Sequence, residues 1–99
     1  MDKSIVDRVR FSMRDCLVAA IDEMNGYEEP LTTGALVDLA ADKVTKAKAL
    51  AASGDFSDMR TALVGAVADL MLAVVVLDDL IEQRAEARRL YTLAMKRSK

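Results

Sequence analysis

Apolar residues along this chain recur at steps of three and four, and the pattern breaks twice. Over residues 3–25 the recurring positions are Val6, Val9, Met13, Leu17, Ala20 and Met24, which share one face of a helix. Asn25-Gly26 closes that stretch, because glycine accepts the left-handed backbone that ends many helices. "YEEPLTTG", residues 27–34, is a loop marked by Pro30, and Thr32 or Thr33 can cap the helix that follows. A second helix is predicted over about 34–52, with Leu36, Leu39, Ala40, Val44, Ala47, Leu50 and Ala51 as its apolar stripe. "SGDFSD", residues 53–58, is the second break. There Asp55 or Ser57 can cap a third helix, and Asp58 suits its positive end. No proline follows, and no glycine after Gly65, so the third helix is predicted over about 58–95. A bend near Asp78-Asp79 is the alternative to one continuous rod.

The third helix is the unusual one. Leu63, Val67, Leu70, Val74, Leu77 and Ile81 follow the 4-3-4-3-4 spacing of a helix–helix seam. Val64, Ala68, Met71 and Val75 form a second stripe beside it. A helix apolar on more than one face must be covered on several sides, and two shorter helices are a thin cover. The expected fold is therefore all-α, a bundle of three to four helices in one domain over 1–99. A long apolar helix lies at its centre, and the chain is expected to assemble as a homo-oligomer through those six seam residues.

One charge interrupts the run at 62–77. Asp69 is flanked at three and four residues by Gly65, Ala66, Leu72 and Ala73, with Ala62 a turn further back. Small neighbours let another backbone approach, or leave room for a ligand. Charged side chains are rarely buried without a partner. The expectation is that Asp69 pairs with a neighbouring helix, a capping N–H or a lysine. A metal or ligand role, or simple exposure, are the other two readings.

Composition narrows the chemistry. Apolar residues are 53% of the chain and charged residues 30%, which is not a disordered composition. A chain of this size buries roughly two thirds of its unfolded surface on folding, so its core is modest. Aromatics are 4%, so that core must be Leu, Val, Ala and Met. The net charge of −2 argues against a nucleic-acid binder that works by bulk charge. No histidine is present, which removes the usual Ser-His and Cys-His nucleophile systems. A single cysteine, Cys16, can make no internal disulfide or ordinary structural zinc site, and it points to a reducing, cytoplasmic setting. The first twenty residues carry too many charges for a secretory signal. The run 62–77 is shorter than the ~20 residues of a membrane span, so no membrane is expected.

Asp38 and Asp42 lie four apart and share a face of the second helix. On their own they read as a solvated surface. Together with the stretch from Ala35 to Leu77, however, they resemble the core of the all-α nucleoside triphosphate pyrophosphohydrolases, the MazG-like and phosphoribosyl-ATP pyrophosphatase proteins. "DLAAD" resembles that family's Glu-Glu-x-x-Glu motif, with Asp38 and Asp42 at its ends and Leu39 at the second Glu. "AVAD" resembles Glu-x-x-Asp, with Asp69 at the Asp and Ala66 at the Glu. Gly54-Asp55 falls in the intervening loop. The resemblance implies Mg²⁺ held by Asp38, Asp42 and Asp69, and a nucleoside triphosphate as substrate. Two of the family's five carboxylates are missing here and two more are shortened, a pattern that fits a fold whose catalytic site has been given up.

Residues 83–99 carry Arg84, Arg88, Arg89, Lys96, Arg97 and Lys99 against Glu86. This is either a solvated helix end whose cations suit the negative dipole, or a docking surface for an acidic protein or a phosphate backbone. Arg84, Arg88, Arg89 and Tyr91 are its candidate docking residues. The reading that accommodates all of this is a small, non-enzymatic helical interaction protein. It needs no cofactor, associates with itself and binds a protein partner. Its make-up is one shared, by analogy only, with phage and mobile-element accessory proteins. The alternative is a divergent Mg²⁺-dependent pyrophosphohydrolase.

Overall fold

The computed structural model describes residues 3–27 and 31–97; Pro30 and Lys99 lie outside them. The described residues form three helices and no strand: α1 Lys3–Asn25, α2 Thr33–Ser53 and α3 Phe56–Arg97. Thr32 is the N-cap of α2, its hydroxyl accepting from the Ala35 N–H at 3.1 Å. Asp55 takes the same place before α3, its Oδ1 accepting from the Asp58 N–H at 3.3 Å. α1 does end at Asn25, with the Gly26 N–H donating to Asp22 and Glu23 carbonyls. Gly26 does not, however, supply a left-handed turn. Among the described residues only Gly54 does, at φ 77°, closing α2. α3 does not bend at Asp78-Asp79. It is one helix of 42 residues, about 63 Å long at 1.5 Å per residue.

α3 is central, with α1 and α2 each packed on it and no backbone approach between them. The residues that α2 turns inward are Leu36, Ala40 and Ala47, fully buried, with Leu39, Lys43 and Leu50 partly so. They meet Ala62, Ala66, Asp69 and Ala73 of α3, which repeat at 4, 3, 4. This is a close interface between small side chains, with one lysine and one aspartate in the middle. α1 contributes Cys16 and Ala20. The larger residues of its stripe stay outside: Val9, Met13, Leu17 and Met24 are each at least half exposed.

Among the described residues the buried apolar core is thus nine residues, seven of them alanine, with Leu36 the largest. The radius of gyration is 19.1 Å, against about 13 Å for a compact domain of this length. Beyond Val76 every described residue of α3 is exposed. Among the described residues α3 is also the one helix long and apolar enough, by length and composition, to cross a membrane. The stretch 62–77 is too short for that by itself, but the unbroken helix extends it.

The sharpest local requirement of this scaffold is the α2–α3 turn. Alanine at position 54 would have to adopt a left-handed conformation that costs an L-residue about 1–2 kcal/mol. Gly54→Ala should therefore lower unfolding free energy by about that amount in urea melts, with an unchanged m-value.

Candidate functional site

Two features of the chain stand out, one buried and one exposed. The buried one answers the question posed by Asp69. Its side chain is fully enclosed, and the Lys43 Nζ lies 2.8 Å from its Oδ2. The same ammonium lies 3.6 Å from Oε1 of Glu23. One residue from each helix therefore meets at one point: Glu23 of α1, Lys43 of α2 and Asp69 of α3. The ion pair with Lys43 is what holds its charge in the interior.

The sequence makes room for this contact. Lys43 sits on the inward stripe of α2, in line with Ala40 and Ala47, and its stem must cross the face of α3 to reach Asp69. Gly65, one turn before Asp69, leaves that path open. A Cβ at position 65 would stand 3.1 Å from Cδ and 3.5 Å from Nζ of Lys43. The end of the lysine stays about one third exposed, so it is only partly desolvated.

Burial, and then the neighbouring Asp69 carboxylate, push the Glu23 carboxyl above its ordinary range; Lys43 pulls the other way and loses. Glu23 in its protonated form can donate to Asp69, which relieves the repulsion between the two acids. For Lys43, burial works against the charged form. The hydrogen bond and charge of Asp69, helped by Glu23, outweigh it and hold the ammonium above the usual lysine range. The cluster carries one firm cation against one buried anion, with a second acid in reserve.

The carboxylates that the pyrophosphohydrolase resemblance assigns to Mg²⁺ lie apart. Asp38 and Asp42 are on the exposed side of α2, while Asp69 is buried against Lys43. No three acidic, cysteine or histidine side chains among the described residues gather as a metal would require. The lysine supplies the positive charge beside Asp69. Glu23 and Lys43 were not singled out in the sequence. The signal for Lys43 was its place on an otherwise apolar stripe, five residues on from Asp38.

The exposed feature is the seam of α3. Leu63 is 41% exposed, Val67 44%, Leu70 45%, Val74 56%, Leu77 44% and Ile81 62%. These residues lie one position after the Ala62–Ala73 stripe, hence about 100° around the helix from α2. Beside them, Val9, Met13 and Leu17 of α1 and Val67 and Met71 of α3 line an open apolar groove of about 670 Å³. Arg84, Arg88, Arg89 and Tyr91 are all exposed further along α3. Arg89 pairs with Glu86 on its own helix at 2.7 Å.

The buried cluster gives an ordered set of expectations. Lys43→Met strands the Asp69 charge in the interior and should cost about 3 kcal/mol or more. Asp69→Asn leaves a lysine that can still reach water and Glu23, and should cost less, about 1–3 kcal/mol. Glu23 follows the opposite sign from a salt-bridged acid. Its pKa is raised on folding, so its contribution is favourable at low pH and is lost as pH rises through the folded-state value. Glu23→Gln should therefore melt no lower than the parent at neutral pH. It should also lack the parent's gain in stability on mild acidification towards the ordinary glutamate value of 4.5. Millimolar Mg²⁺ should leave the melting temperature of the parent unchanged.

The chain matches no family model, no curated protein and no solved structure.

Proposed function

We propose that this chain is a non-catalytic helical interaction protein that assembles with copies of itself through the seam of α3. The observation that carries this reading is the exposure of all six seam residues on a chain whose own core is almost entirely alanine. Soluble chains seldom leave so continuous an apolar surface open, and when they do it marks an interface. The long dimension of 68 Å and the unsupported outer half of α3 are in keeping with a subunit, since most helical stability in proteins comes from packing of an apolar face rather than from propensity. The exposed cations and Tyr91 of that outer half supply a second surface, suited to an acidic protein face. Cationic rims of this kind act mainly on association rate and orientation.

A bilayer is the other environment that could cover α3, given its length and composition. The Lys43–Asp69 pair weighs against it. Spanning would place that charge pair and the attached α2 at membrane depth, where ionised groups are expensive. Cytoplasmic self-association needs no such cost.

Sedimentation at micromolar concentration should report a dimer or larger species. Val67→Lys combined with Val74→Lys should give either a 10.8 kDa monomer or an unfolded chain. A parent protein that remains at 10.8 kDa across that range in water would remove the proposal. If that monomer instead floats with lipid vesicles, the bilayer takes the place of the second copy.

A further inference from the structure

Resting on the self-association reading, we infer that the second copy runs antiparallel along α3, with its two-fold axis level with Leu72, and that its basic end docks on the acidic, aromatic start of the first copy's α3. The 4-3-4-3-4 spacing reads the same in both directions. Leu63 and Ile81, Val67 and Leu77, and Leu70 and Val74 are pairs equidistant from Leu72. An antiparallel copy brings these pairs together across the seam without a gap, each an apolar contact.

Apolar spacing alone would also permit a parallel pair. The charges at the two ends decide between them. Continued outward at the same spacing, the seam reaches Arg84 and Arg88 at one end and Arg60 and Phe56 at the other. In a parallel pair Arg84 and Arg88 would each face their own copies, stacking like charges inside the interface. In the antiparallel pair Arg88 comes over Phe56 of the second copy. That ring is 72% exposed in the single chain, and it offers a guanidinium a cation–π contact. Arg84 comes level with Arg60, whose charge is already met by Asp15 at 2.7 Å. Asp55 and Asp58 lie exposed at the same end. The cationic end of one α3 is thereby set against the end that carries Asp15, Asp55 and Asp58 in the other. The acidic surface suited to Arg84, Arg88, Arg89 and Tyr91 is this chain's own. The groove beside Val67 and Met71 then lies next to Leu77 of the second copy, an apolar occupant for an apolar channel.

Cross-linking separates the two orientations. In a Cys16→Ala background, chains carrying Leu63→Cys are mixed with chains carrying Ile81→Cys and oxidised. The antiparallel pair predicts a 63–81 disulfide in the mixture and little or none in either variant alone, because like positions then stand about 27 Å apart. Strong disulfides within each single variant, and none between the two, would overturn it in favour of a parallel pair. A readout that leaves the seam intact uses a spin label on Glu82→Cys, an exposed position. The label-to-label separation should be about 30 Å in the antiparallel pair and well below 20 Å in the parallel one. A dimer with the short separation overturns the orientation while leaving self-association in place. A chain that sediments only as monomer overturns both.

Discussion

A carboxylate buried inside a helix pair must have a counter-charge, and here Lys43 supplies it at 2.8 Å. Much else about the scaffold follows from meeting that need. Lys43 has to lie on the inward stripe of α2, which fixes which face of α2 is turned to α3. Its stem needs the space that Gly65 leaves. Ala40, Ala47, Ala62, Ala66 and Ala73 keep the two backbones near enough for the pair to close. Glu23 then draws the end of α1 to the same point, the side-chain link that joins α1 to α2. A buried ion pair is a weak source of net stability but a strong source of register, because any slip leaves the Asp69 charge alone.

The choice of small residues for that interface has a consequence on the opposite side. Alanine contacts bury little apolar area, at roughly 25 cal/mol per Å². The large side chains that could bury more are on the seam of α3 and the outer face of α1, where the single chain covers them only in part. The chain spends its polar specificity on fixing the α2–α3 hairpin and leaves its apolar surface open, the surface that the proposed self-association would cover. An elongated chain with an alanine core and an exposed Leu/Val/Ile seam is the form that division takes.

The sequence made the helices legible because their punctuation is strong: Thr32 or Thr33 and Asp55 or Ser57 as caps, two short loops carrying Gly26, Pro30 and Gly54, and no glycine or proline after Gly65. The partner of Asp69 was legible as a class, a lysine or a neighbouring helix, but not as Lys43. Any of several lysines on α2 could serve until the inward face of α2 is known. The inward faces themselves were the weak point. Large apolar residues such as Val9, Met13 and Leu17 mark the predicted core face of α1, yet what the structure buries is the small member of that stripe, Ala20, with Cys16 beside it. Periodicity weights size, while close helix packing selects for smallness. Asp38 and Asp42 share a helix face as their spacing requires, but that face is turned to solvent while Asp69 is turned inward. Spacing within one helix carries no information on where a second helix points.

The central claim is that the outer half of α3 is covered by something other than this chain's own α1 and α2. Amide hydrogen exchange over residues 78–88, the part of the outer half that an antiparallel copy overlaps, followed as the protein is diluted, tests it most directly. Covered by a second copy, these amides should be protected at high concentration. They should lose that protection on dilution, before the amides of 62–73, which α2 shelters in the single chain. Rapid exchange of 78–88 at every concentration, with 62–73 protected throughout, would contradict the account, because that segment would then be a solvated helix with nothing packed upon it.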